Sequence, residues 1–152
     1  MRTRQLRAAL QAFAEEAAQR LARAGFRRGG ARIAVVELLA RQPCALTAQD
    51  IECELRDAGR TVGRASVYRV LDELTSLGLV DRVEVGQGIA RYEPARGHQH
   101  HHHHMVCDHC GDVFPFADEE LERTIGRLAS RVAFDVAEHD IVLHGACAGC
   151  RR

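Results

Sequence analysis

The chain has 152 residues, enough for one domain or two small ones, with 46% hydrophobic and 28% charged residues and no tryptophan. No apolar run approaches the ~20 residues that span a bilayer, and the N-terminus carries no signal-peptide core, so a cytoplasmic protein without a membrane partner is expected. Net charge is zero, but residues 1–96 hold sixteen Arg against twelve acids and residues 97–152 five against nine. That split excludes a uniformly neutral surface and points to a basic half suited to nucleic acid beside an acidic half with another task. Every basic residue is Arg, whose planar guanidinium suits phosphate and base contacts.

In chain order, residues 4–24 are rich in Ala, Arg, Leu and Glu and predict a helix that stops at Gly25. A second helix is predicted from about Ala31 to Arg41, with Ile33, Val36, Leu38 and Leu39 turned inward, and Gln42-Pro43-Cys44 breaks it. Thr47 and Asp50 form a capping box for a third helix to about Asp57. The fourth helix, roughly Arg64–Leu77, has the clearest period: Val67, Val70, Leu71, Leu74 and Leu77 share one face. Val80–Val85 and Ile89–Glu93, joined through Gly86-Gln87-Gly88, predict a hairpin.

Short helices followed by a hairpin make a winged helix-turn-helix, with the fourth helix presented to DNA. Its exposed N-terminal residues would read base edges in the major groove, which singles out Arg64, Tyr68 and Arg69. The expected partition is a DNA-binding domain over residues 1–94, a linker over 95–97, and a metal-binding domain over 98–152. In that second part, Val113–Phe116 predicts a strand and residues 118–132 an amphipathic helix with Leu121, Ile125, Leu128 and Val132 inward. His139–His144 alternates enough to predict a last strand. The fold class expected is α+β.

Six cysteines are arranged as two CxxC pairs, Cys107/Cys110 and Cys147/Cys150, plus Cys44 and Cys53, which read as buried thiols. In a reducing compartment paired CxxC motifs point to metal before disulfide. Four thiolates make a closed tetrahedral zinc site, which stabilises a fold and leaves no position for substrate. The histidines are a separate matter. His100–His104 is an unbroken run abutting the first CxxC. On a strand, side chains alternate, so His101 and His103 share one face and His102 and His104 the other. Glu122 and His139 complete the first pair as a His₃Glu set suited to Zn²⁺, Fe²⁺ or Mn²⁺. For the second pair the candidates precede the linker: Glu93, Asp81 and Cys44. A metal held there would bridge the two domains.

The Val67-Tyr-Arg-Val-Leu71 run, the His-rich strand entering Cys107-x-x-Cys110, and the closing His139…Cys147-x-x-Cys150 together resemble the ferric uptake regulator (Fur) family over about residues 10–150. The resemblance implies a homodimer that binds palindromic operators and represses metal-uptake genes when iron or zinc is plentiful. It implies that Cys107, Cys110, Cys147 and Cys150 hold structural zinc, that His101, His103, Glu122 and His139 form a second site, and that His102, His104 and Glu93 belong to an interdomain sensing site, where Asp81 matches zinc-type members. Iron-type members place a histidine where this chain has Cys44-Ala45, so the sensing shell is a mixture and the effector metal stays open. Arg27 falls where members place a basic residue near the minor groove, and Arg32, kept from the family's run entering the second helix, is expected with it among the DNA-binding residues. A peroxide sensor of the same architecture is the alternative. A zinc enzyme is disfavoured, because HExxH and the deaminase signature are both missing.

Overall fold

The computed structural model describes residues 2–42, 45–84, 88–95 and 102–151, with side chains from residue 11 onward. The chain forms two compact units, Met1–Ala95 and Arg96–Arg152.

In the first unit, α1 (Arg2–Arg23) ends at Gly25. There the backbone turns left-handed (φ 83°), and Phe26 N–H reaches back to the Leu21 carbonyl at 3.0 Å. Helix α2 (Gly30–Arg41) follows, then a two-residue strand β1 (Leu46–Thr47) that the sequence reading did not anticipate. Helix α3 (Ala48–Asp57) opens on the predicted capping box: Thr47 Oγ1 accepts from Asp50 N–H at 3.0 Å, while the Asp50 carboxylate accepts from Thr47 N–H at 3.0 Å. Helix α4 (Arg64–Ser76) closes at Gly78 (φ 62°), whose conformation lets Leu79 N–H bond the Leu74 carbonyl and turns the chain into the hairpin. Strands β2 (Val80–Glu84) and β3 (Ala90–Pro94) pair antiparallel, and the sheet order is β1-β3-β2. These elements are a winged helix.

The core of this unit is made where three helices converge: Val35, Leu39, Ile51, Val67, Leu71 and Leu74 are completely or almost completely buried. The fourth-helix period holds at Val67, Val70, Leu71 and Leu74, while Leu77 is only half-buried. On α2 the register differs from expectation. Ile33 is exposed and Leu38 half-buried, and Val35 takes the inward place, because α2 meets both α1 and α4 and buries a wider stripe than a single face.

Among its described residues, the second unit is a three-stranded sheet of order β5-β4-β6 with one helix. Strand β4 (His103–Cys107) pairs antiparallel with β5 (Val113–Phe116) and parallel with β6 (Val142–Gly145). Helix α5 (Glu119–Arg131) is capped by Asp118, which accepts from Leu121 N–H at 2.8 Å, and carries Glu119, Glu120 and Glu122 in its first turn, where acids suit the helix dipole. Two expectations are corrected here. The last strand begins at Val142, so His139 lies in the segment before it. No residue of α5 is buried: Leu121 and Ile125 are half-covered, and Leu128 and Val132 are exposed. A unit this small has too little chain to cover both a sheet and a helix.

Candidate metal centres and reading helix

The cysteine cluster is a consequence of strand order. Parallel pairing of β4 with β6 sets Cys107 beside Gly145, so the turn after each strand delivers its CxxC pair to the same place. Each turn is closed by its own backbone: Gly111 N–H bonds the Cys107 carbonyl at 2.8 Å, and Cys150 N–H bonds the Cys147 carbonyl at 3.0 Å. All four sulfurs lie within 4.8 Å of one another, and Cys110 Sγ is 3.9 Å from Cys147 Sγ. A disulfide requires about 2.05 Å. A tetrahedral zinc with Zn–S bonds of about 2.3 Å separates its sulfurs by roughly 3.8 Å, so the set fits zinc. Cys147 N–H points at Cys107 Sγ from 3.4 Å. This contact, with a smaller one from the Cys110 N–H, pulls the Cys107 thiol down to about 6, while hydrogen bonds with the neighbouring thiols push Cys110 and Cys150 up, so without metal the four cysteines share their protons unequally.

A second cluster lies at the other end of β4. The fully buried His103 ring presents Nε2 to Glu122 Oε1 at 2.7 Å, and His139 Nε2 is 3.1 Å from Glu122 Oε2. The two rings stand 5.3 Å apart, and Phe116 closes one side of His103 at 5.4 Å. Ile141 N–H donates to His103 Nδ1 at 3.3 Å. The ligand atoms of His103, Glu122 and His139 all lie within 4.8 Å of one another. Two nitrogens and a carboxylate fit Zn²⁺, Fe²⁺ or Mn²⁺ by donor type. His101, the fourth predicted member, lies outside the described residues.

The third predicted set draws on residues of both units. On the wing, Asp81 and Glu93 are direct cross-strand partners. On the second unit the His102 and His104 rings are 5.0 Å apart. Cys44 lies outside the described residues, and Cys53 is half-buried, not buried as expected.

On the reading helix, Tyr68 is 47% exposed although its neighbour Val67 is fully buried, and Arg69 is exposed. Arg64, also exposed, is oriented by Glu52 of α3, whose carboxylate accepts from Arg64 Nε at 2.8 Å. Arg27 is exposed in the turn after α1. Arg32 differs from these four. Its Nε and Nη2 donate to the two oxygens of Glu73 at 2.6 and 2.7 Å, and its Nη1 donates to the Arg27 carbonyl at 3.1 Å. Glu73 escaped the sequence reading. Its position beside buried Leu74 was the available signal, since an acid at the edge of a buried face needs a partner.

Residues 23–144 match the model of the ferric uptake regulator family. The chain belongs to that family. The zinc uptake regulation protein of Mycobacterium tuberculosis is 36% identical over 128 residues, covering 84% of this chain and 97% of its own. The ferric uptake regulation protein of Vibrio parahaemolyticus is 33% identical over 123 residues, covering 79% and 81%. Among solved structures, the Helicobacter pylori ferric uptake regulator, described as having three functional metal-binding sites, superposes with a TM-score of 0.81 at 27% identity, over 93% of each chain. A zinc uptake regulator in complex with zinc and DNA gives 0.55 at 29% identity, over 92% of this chain and 93% of its own. As a ferric uptake regulator family member, the chain is a metal-dependent transcriptional regulator of metal uptake.

Proposed function

We propose that the chain is a cytoplasmic homodimer that represses iron- or zinc-uptake genes by binding a palindromic operator when metal is plentiful. The observation that carries this reading is the presence, in one 57-residue unit, of two donor clusters of different chemistry: an all-sulfur set and a His/Glu set. The all-sulfur set suits a permanent structural zinc, and the nitrogen and oxygen set a cation that exchanges. The first does not read as a catalytic centre, because four thiolates leave a zinc no open position for substrate.

His102 and His104 from one unit, with Glu93 and Asp81 from the other, form the interdomain sensing site in this reading. The metal, when bound, supplies a cross-link between the two units. The resulting order would set the angle at which each α4 meets the DNA, with Tyr68 on a base or sugar and Arg64, Arg69 and Arg27 on phosphates or base edges.

Dimerisation is supported by apolar side chains that a lone chain leaves uncovered: Leu128, Val132 and Phe134 at the end of α5, and Leu143 on β6. The test is a footprint on a duplex selected from a randomised pool by the metal-loaded chain. Protection of two symmetry-related half-sites about one helical turn apart, or a multiple of it, is expected. Protection of a single asymmetric site would overturn the dimeric operator reading.

A further inference from the structure

Arg32 was expected to touch DNA, but its bonding points inward. Of its three nitrogens, two grip Glu73 side-on and the third holds the Arg27 carbonyl, while the guanidinium lies over the Phe26 ring at 5.2 Å from the centroid. The Arg32 and Glu73 side chains retain only 24% and 11% exposure. Two parallel bonds to one carboxylate fix distance and orientation together, which a single contact does not. One end of this clasp is on α4, a single helical turn after Arg69. The other end is the turn carrying Arg27.

We infer that Arg32 and Glu73 are positioning residues that hold the reading helix at a set distance from Arg27, so that major-groove and backbone or minor-groove contacts are made in register. Arg32 therefore acts on DNA through Glu73 and the Arg27 backbone, not by its own charge. The inference rests on the reading of α4 as the DNA-contacting helix.

The charge of Glu73 makes the test decisive. Removing an acid from a DNA-binding domain ordinarily strengthens binding to a polyanion. The clasp requires the opposite. Full-length, metal-loaded wild type, Glu73→Gln, Arg32→Lys and the double variant would be titrated against the duplex selected from a randomised pool. Titrations would run over a range of salt, at a temperature where circular dichroism shows every variant folded. Glu73→Gln is expected to weaken binding roughly tenfold. Arg32→Lys, which keeps the charge but loses the two-pronged grip, should lose a similar factor. The double variant should lose no more than either, and the dependence on salt should keep the wild-type slope. Arg32→Glu combined with Glu73→Arg should recover affinity lost by Arg32→Glu alone.

Three results would overturn the inference. Unchanged or tighter binding by Glu73→Gln, with the salt slope falling by about one in Arg32→Ala, would make Arg32 a direct phosphate contact. Unchanged affinity in every folded variant, with only a lower melting temperature, would make the clasp a stabilising pair and nothing more. Failure of the wild type to select any duplex would remove the DNA-binding reading and the inference with it.

Discussion

His103 shows how much a single position can be asked to do. Its ring is fully buried, anchored at one nitrogen by the Ile141 amide and facing Glu122 with the other. His103→Ala should therefore abolish the second centre while sparing the cysteine cluster, which sits at the far end of β4. Metal analysis after exhaustive dialysis should still find one zinc per chain. Affinity for the additional metal should fall by at least about tenfold, the scale seen when even the supporting shell of a metal ligand is removed. Loss of the tightly held zinc in this variant would show that the two clusters are not separate. Tyr68 and Leu71 make a second contrast on one helix. Tyr68→Ala removes a half-exposed ring and should weaken operator binding by ~1–3 kcal/mol with little change in stability. Leu71→Ala leaves a cavity in a core position of 0% exposure and should cost about 2–5 kcal/mol of stability by chemical denaturation. If Tyr68→Ala alters stability and not binding, α4 does not present that face to DNA.

At the scale of elements, the sequence was most legible where local chemistry decides the structure. Thr47 and Asp50 satisfy each other's backbone within one turn, and the three-four period of Val67, Val70, Leu71 and Leu74 needs only that α4 have one inner side. Legibility failed where distant chain decides. Leu128 and Val132 keep a helical period, yet periodicity says that a face must be covered and not which chain covers it. His139 looked like the start of a strand because its neighbourhood alternates, but pairing with β4 begins only at Val142, opposite His104. Arg32 was read by its charge, whereas its partner Glu73 lies 41 residues away. The candidate metal donors were read as residue types, and the structure adds which of them meet: His103, Glu122 and His139 do, with His103 and His104 on opposite sides of one strand. The uncovered end of α5 carries its own prediction. Val132→Glu on an exposed apolar position should shift the chain from dimer to monomer in sedimentation while leaving far-ultraviolet circular dichroism unchanged. A dimer that survives the change would place the interface elsewhere.

For the whole molecule, the charge split along the sequence coincides with the division of labour. The basic first part supplies the winged helix, and the acidic second part holds both metal clusters described in it. In the function proposed above, stability and sensing are separated chemically: four sulfurs would hold one metal too well to report its concentration, and histidines with carboxylates would hold another in exchange with solution. The most direct test of this account is operator affinity as a function of buffered metal, read by fluorescence anisotropy with the cysteine-bound zinc left in place. Zn²⁺ and anaerobic Fe²⁺ would be titrated separately. The account predicts that affinity rises steeply with one of them and falls back on chelation while the tightly held zinc remains. Affinity that is the same with the second metal present or absent would contradict it, and would remove the sensing role proposed for the histidines.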